Sequence, residues 1–306
     1  MSILASVNFQ WVLVSTIMLG VASGMFGTLA YWKKQSLMSD ALSHAALPGV
    51  VIAFMIMNEK NLFLLILGAA MSALLGAWFI HAIKSSTRIK EDAAMGIILS
   101  VFFGAGIVLL SIVNRTGGGN QSGLDTFIFG QAASMVRSDV YTMAGLAVAI
   151  ILLIVIAFKE WKLYLFDPNF AKGLGLSSST MNVLYVFGLV TTIVIGIQAV
   201  GVILMAALLI IPAVSARYWT HSFKVMMILA AIFGGLSGAL GTFVSAQGTG
   251  WPTGPFIVLA ASVFFIVSLV FGKEKGLLVE RVEFKNQQRK AIAQNELPGV
   301  LKEGDH

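Results

Sequence analysis

This sequence has no cysteine and very little charge. Only 11% of its 306 residues are charged, whereas 58% are hydrophobic; soluble domains usually carry about 25% charged residues. A chain of this length could bury so much apolar surface only in a core larger than one soluble domain forms. An ordinary soluble enzyme is therefore excluded. Without cysteine, the chain has no disulfides, thiolate metal sites or cysteine nucleophiles.

Common catalytic motifs are also missing. The sequence contains no G-x-x-x-x-G-K-[ST] phosphate loop, no G-x-S-x-G elbow and no H-E-x-x-H pair. The net charge of +6 would suggest nucleic acid in a soluble protein, but in a membrane protein the placement of the charges matters more than their sum. We therefore expect a transport subunit rather than an enzyme, with no bound cofactor and no nucleic-acid partner. Any ATP that drives it must be hydrolysed by a partner.

Uncharged runs of about 20 residues, the length of a helix that crosses a bilayer, recur along the chain. Seven are clear: 11–32, 41–58, 61–83, 93–113, 140–158, 225–246 and 253–272. An eighth run, between Asn182 and Arg217, is too long for one span, and we interpret it as two spans with a break around 197–201. The sequence thus predicts an all-α polytopic membrane protein with about nine transmembrane helices. Eight spans with one broken or re-entrant segment is the alternative.

The placement of basic residues predicts the orientation, because cytoplasmic loops are enriched in Lys and Arg. With nine spans and the N-terminus outside, 17 of the 20 basic residues fall on one side and three fall on the other. Residues 1–272 then form a transmembrane domain and 273–306 a cytoplasmic C-terminal tail. No basic residue precedes Lys33, so we expect the first span to be retained rather than cleaved. An external loop at 114–138 is expected to contain a short helix near 127–135.

Asp40 and His44 are the most informative ionisable residues. Their spacing of four places a carboxylate and an imidazole on one helix face. Such groups are costly inside a membrane and usually face a cavity or a partner, which makes them candidates for function. Carboxylate and imidazole ligands suit manganese, iron or zinc. Pro48 has no N–H to donate to the backbone carbonyl of His44. That carbonyl oxygen is left free and is a third possible type of ligand. The alternative is structural: Asp40 lies close to Lys34, where it could be an N-cap.

Two further features carry weaker signals. Gln198, at the break in the long run, could line a pathway or hydrogen-bond to a neighbouring helix. Glu91 and Asp92 open the fourth span, where the helix dipole favours acidic residues.

The segment 166–176 is predicted to contain a short helix on the membrane surface. Asp167 is suited to be its N-cap and Pro168 its first residue, and Gly173 or Gly175 would end it. Such a sharply capped helix between two spans could receive a push from a soluble motor. It could equally be an ordinary interfacial turn.

Taken in order along the chain, these motifs resemble the permease subunits of bacterial ABC importers for manganese, zinc and iron, the ABC-3 family. The matching segments are Ser39–Gly49, Glu91–Gly96, Phe129–Gln131, Phe166–Pro168, Val200–Ala213 and Pro252–Pro255.

The resemblance implies a fold similar to the larger type II ABC importers for cobalamin and siderophores, without their first helix. It implies a homodimer, or a pair of similar permeases, on two ATPase subunits that use ATP, with metal delivered by an extracellular lipoprotein. It points to Asp40 and His44 as the metal site and implies that 33–40 dips into the protein. The segment with Asp167, Pro168, Ala171, Gly173 and Gly175 would be the ATPase-coupling loop.

The leading hypothesis is thus a multi-pass permease of the bacterial plasma membrane for a divalent transition metal, with manganese first and zinc or iron as alternatives. A second hypothesis is a gradient-driven carrier or channel in which Asp40 and His44 relay protons. It predicts transport without an ATPase.

Overall fold

The computed structural model describes residues 7–57, 62–116, 130, 135, 137–248, 250–279 and 281. Within these ranges the regular structure is entirely helical. The principal helices are α1 (Val7–Trp32), α2 (Ser36–Met57), α3 (Leu62–Ser86), α4 (Glu91–Thr116), α5 (Arg137–Ile156), α6 (Phe158–Phe166), α7 (Pro168–Gly173), α8 (Ser178–Val200), α9 (Val202–Arg217), α10 (Phe223–Ser245) and α11 (Thr253–Phe271).

Eight of these helices are long and apolar enough to cross a membrane: α1 to α5, α8, α10 and α11. Helix α9 has 16 residues, or about 24 Å at 1.5 Å per residue, against about 30 Å for the hydrocarbon core of a bilayer. The predicted long run is accordingly divided into two helices. Gly201 separates the two helices and has a φ of 93°, a backbone conformation that residues with a Cβ rarely adopt.

The break at Gly201 is packed tightly. A Cβ on Gly130, which itself has a positive φ, would collide with the backbone of Val200 and Gly201. A glycine from the segment before α5 therefore lies directly against the joint between α8 and α9. The predicted helix near 127–135 lies outside the described residues, apart from Gly130 and Met135.

Helices α1, α2 and α8 form the centre of the bundle. Between 61% and 67% of the membrane-spanning stretch of each of these helices is buried within the chain, compared with 22% for α4 and α11. Small residues allow this packing: a Cβ on Gly20 would meet the backbone of Gly234 in α10, and one on Gly49 would meet that of Gly68 in α3. In addition, Ser72 donates a 2.6 Å hydrogen bond to the carbonyl of Ala45. Helix α2 is therefore held inside the protein rather than at its edge.

Two observations correct the predicted boundaries. Helix α2 begins at Ser36 instead of residue 41, because a tight turn at 33–35 starts it without a loop. The fifth span ends at Ile156, and a separate helix, α6, follows after a single residue. Helix α6 was missed because its charged residues Lys159, Glu160 and Lys162 end the uncharged run by which the fifth span was identified. Of the predicted tail, only 273–279 and 281 are described.

Candidate metal site on the second helix

Asp40 and His44 lie on one face of α2. The Nε2 atom of His44 is 3.5 Å from Oδ1 of Asp40, and their side chains are 13% and 38% exposed, respectively. Helix α2 starts at Ser36, so Asp40 lies one turn inside the helix. The alternative of an N-cap at Asp40 is therefore wrong. A carboxylate and an imidazole instead lie next to each other on one helix face, the imidazole mostly buried and the carboxylate partly exposed.

His44 is only partly satisfied by the protein. Its ring lies edge-on to Phe103 of α4, with centroids 4.6 Å apart, and its Nδ1 atom is buried without a hydrogen-bond partner. An unpaired buried nitrogen is costly. Pro48 lies inside α2 and has no N–H for the carbonyl of His44. Since the two nitrogens of one imidazole point in different directions, a cation beside Asp40 would meet one ring nitrogen of His44 together with the carboxylate.

The pair is incomplete as a metal centre. Among the described residues no group of three or more His, Cys, Asp or Glu side chains is placed to hold an ion. The remaining ligands of a cation at Asp40 and His44 must therefore be other protein groups, water or a group from outside the described residues. Such a site would bind weakly, as suits an ion that has to move on.

Gln198 lies near the end of α8, three residues before the break at Gly201. Its Oε1 atom is buried and has no hydrogen-bond partner, and α8 packs against α2. The hydrogen bond to a neighbouring helix that the sequence left open is not seen at this oxygen. Gln198 therefore offers a buried acceptor on a helix that packs against α2.

The segment 158–173, formed by α6 and α7 and termed here the docking segment, lies at the same end of the bundle as Lys33, Lys84 and Arg217. Asp167 caps α7 by accepting a 3.0 Å hydrogen bond from the backbone N–H of Phe170, and Pro168 is the first residue of that helix. The helix ends at Gly173.

The two faces of α7 differ in exposure. On the inner face, Ala171 is buried against the protein. After the helix ends, Gly175 has a φ of 85°. Phe170 and Leu174 are 56% and 62% exposed. The structure thus shows the predicted caps and an apolar outer face.

A polar cluster at the same end was not predicted as such. Lys33 Nζ is 2.6 Å from Asn182 Oδ1 and lies 3.8 Å from the ring centre of Tyr185. The carboxylate of Glu91 accepts hydrogen bonds from Gln35 and Lys84. It therefore links the start of α4 to the end of α3 and to the turn before α2, in addition to its favourable position at the N-terminus of α4. Burial lowers the pKa of Lys33 to about 8, partly offset by the negative charge of Glu91. The only sequence signal was the presence of polar residues at span ends.

A cavity of about 450 Å³ opens beside this cluster. Its lining includes Trp32, Lys34, Ser36, Asp92 and Arg217. The cavity therefore lies where α1 ends and α2 and α4 begin, on the same side of the bundle as the docking segment.

Known proteins share both the sequence pattern and the fold of this chain. A sequence profile described as the ABC 3 transport family matches residues 6–272. The manganese transport system membrane protein MntC of Bacillus subtilis (strain 168) is 45% identical over 97% of this chain and 68% of its own length. The zinc transport system membrane protein TroC of Treponema pallidum is 42% identical over 92% of this chain and 94% of its own.

A solved structure, PsaBC from Streptococcus pneumoniae in complex with Fab, superposes with a TM-score of 0.78 at 32% identity. The match covers 89% of this chain and 94% of the matched one.

Proposed function

This chain belongs to the ABC 3 transport family, and we propose that it is the membrane permease through which an ATP-driven importer passes a divalent transition metal. It is a multi-pass protein of the bacterial plasma membrane. Manganese is the first choice of substrate, because the relatives include a manganese system at 45% identity. Zinc and iron are the alternatives, since a carboxylate and an imidazole suit all three ions.

The observation that carries this proposal is the pair Asp40 and His44 inside α2, with the buried, unpartnered Nδ1 of His44. The ion would be held by the carboxylate and the imidazole, with the remaining ligands from water or the freed carbonyl of His44, and Gln198 would line the pathway. A hydrated ion loses part of its shell there and regains it on release. Because only two charged or imidazole ligands meet it, the barrier to release stays low.

The proposed topology follows the charge distribution. The N-terminus lies outside, the spans number nine with α9 included, and the C-terminus is cytoplasmic; eight spans is the alternative if α9 is re-entrant. Residues 1–272 form the permease domain, and 273–306 the tail. The docking segment then lies in the cytoplasm, where Lys33, Lys84 and Arg217 also lie, in line with the enrichment of basic residues there.

The proposed partners are two ABC ATPase subunits, a second copy of this chain, an extracellular metal-binding lipoprotein and the surrounding membrane lipids. The exposed Phe170 and Leu174 of α7 offer an apolar contact for an ATPase. Asp167, Pro168, Ala171, Gly173 and Gly175 set the shape of this contact rather than touching the metal. ATP is bound and hydrolysed by the partner.

Reconstitution in liposomes tests the function. We expect manganese uptake only when this chain, the lipoprotein and the ATPase are present with ATP, and loss of uptake in Asp40→Ala and His44→Ala. His81→Ala is the matched control, because His81 is an exposed imidazole near the C-terminal end of α3. Uptake by this chain alone along a gradient would favour the carrier hypothesis. Normal uptake by both Ala variants at equal protein levels would exclude the proposed site.

A further inference from the structure

The turn at 33–35 joins α1 to α2 and is rigid. The backbone N–H of Gln35 donates to the carbonyl of Ala30 at 3.0 Å, and that of Lys34 donates to the carbonyl of Tyr31 at 3.1 Å. Lys34 has a φ of 59°. Together these features form a Schellman motif, in which one left-handed residue ends a helix. Since α2 starts at the next residue, Ser36, the end of α1 and the start of α2 are expected to move together.

The docking segment contacts this turn through aromatic rings. Phe166, the last residue of α6, lies against Trp32 with ring centroids 4.7 Å apart. Tyr164, also in α6, lies beneath Lys33, with Nζ 5.7 Å from its ring centre. A displacement of α6 would therefore reach the turn directly.

The same lysine holds the turn to the centre of the bundle. Its charged Nζ donates a hydrogen bond to Asn182 Oδ1 at 2.6 Å and lies 3.8 Å from the ring centre of Tyr185. Both partners belong to α8, one of the helices that pack against α2. Lys33 thus contacts the docking segment on one side and the core of the bundle on the other.

Gln35 bonds the turn to two further helices. Its side chain donates to Glu91 at the start of α4, and Glu91 also binds Lys84 at the end of α3. The turn is consequently linked to α3, α4, α6 and α8. Asp40 and His44 follow one and two helical turns after Ser36, close to this junction.

We propose that Lys33 is a positioning residue for transport, which transmits movement of the docking segment through the 33–35 turn to Asp40 and His44. This inference rests on the proposed function, because it needs an ATPase on the docking segment. Lys33 touches neither metal nor ATP. It acts by holding α6, α8 and the start of α2 in one arrangement, so that a push on α6 moves the metal pair instead of being absorbed locally.

The test compares metal transported with ATP hydrolysed in the complete reconstituted complex. Lys33→Met keeps the length of the side chain but removes its charge and donors, and Lys33→Arg keeps the charge. Lys34→Met is the matched control, because Lys34 is the neighbouring lysine and its side chain is exposed. We expect Lys33→Met to lower the metal-to-ATP ratio at least tenfold while ATP hydrolysis stays within about threefold of the parent, and Lys33→Arg and Lys34→Met to keep the ratio.

Asn182→Ala provides a second variant should Lys33→Met fail to fold. It removes the 2.6 Å partner and leaves the lysine, and we expect a smaller fall in the same ratio. A ratio unchanged in Lys33→Met and Asn182→Ala would overturn the inference. Equal loss of transport and hydrolysis with a lower melting temperature in every folded variant would also overturn it, since the role would then be structural. Absence of ATP-driven uptake by the parent complex would instead refute the proposed function itself.

Discussion

Two polar groups near the start of α2 are built in opposite ways. At the metal pair, the Asp40–His44 contact is 3.5 Å long and the Nδ1 of His44 has no protein partner. At the 33–35 turn, Lys33 Nζ has a 2.6 Å bond and a ring on either side. The difference shows which side chain is free to take a new partner: His44 keeps an unpaired ring nitrogen, whereas the charged nitrogen of Lys33 is held by its neighbours.

The largest effect is expected at the metal pair. Asp40→Asn keeps the shape of the side chain but removes its charge, and we expect metal uptake to fall about 100-fold, the upper range for perturbing the surroundings of a bound metal. Asp40→Glu retains the carboxylate with a longer reach and should cost about tenfold. Radioactive manganese uptake at equal protein levels measures both. Equal uptake by Asn and Glu variants would show that the charge of Asp40 plays no part.

The 33–35 turn should respond to pH through Lys33. Burial lowers the pKa of Lys33 from 10.5 to about 8, so the side chain is charged below pH 8 and neutral above it. The facing groups are Tyr164, Tyr185, Glu91 and Lys84. By pH 9 the neutral form of Lys33 exceeds the charged form about tenfold, and we expect the metal-to-ATP ratio to fall to about a tenth.

Two controls separate this pH effect from unfolding. Lys33→Arg stays charged, so its ratio should not fall between pH 7 and pH 9, a range set around the pKa of about 8. Between pH 8 and 10.5 the unfolded chain binds more protons at residue 33 than the folded one, so the contribution of this group to the free energy of unfolding rises with pH. If thermal stability instead fell over this interval together with the metal-to-ATP ratio, unfolding rather than the titration of Lys33 would explain the loss of transport.

A substitution at the joint between α8 and α9 tests whether the stability of the protein depends on the irregular backbone at Gly201. Gly201→Ala places a Cβ at a φ of 93°, and we expect a loss of about 1–3 kcal/mol in the free energy of unfolding. Gly145→Ala in α5 is the matched control, because an added Cβ there meets nothing within 4 Å. Thermal unfolding in detergent measures both variants. Equal melting temperatures would mean that the joint relaxes freely.

The smallest effect is expected at the docking segment. Asp167→Ala removes the cap of α7, which costs about 1 kcal/mol, and should weaken ATPase binding about fivefold. Asp167→Asn keeps an acceptor for the N–H of Phe170 and should bind like the parent. Binding of purified ATPase to the permease in nanodiscs measures the difference. An Ala variant with parental affinity would indicate that α7 is not the contact.

The helical fold was predictable because apolar runs, charge and turn residues act over short distances. The break near Gly201 and the cap of α7 at Asp167 were accessible for the same reason. Asp40 and His44 could be paired from their spacing of four alone. Each of these features depends on residues within one or two helical turns of one another.

The cluster at the 33–35 turn could not be predicted, because its bonds join residues far apart in sequence. Lys33 meets Asn182 across 149 positions, and Gln35 meets Glu91 across 56. The start of α2 was missed for a related reason: Lys33 and Lys34 marked a polar end, but the Schellman turn continues the chain into a helix at once. Hydropathy identifies where a span is apolar and not where its backbone bends.

The central claim is that Asp40 and His44 hold one ion, and a double-mutant cycle on uptake tests it most directly. Asp40→Glu, His44→Gln and the double variant leave measurable transport for comparison in the reconstituted complex. Because both side chains would bind the same ion, the double variant should transport within about twofold of the worse single variant, as expected for coupled residues. A loss equal to the product of the two single losses would contradict a shared ion.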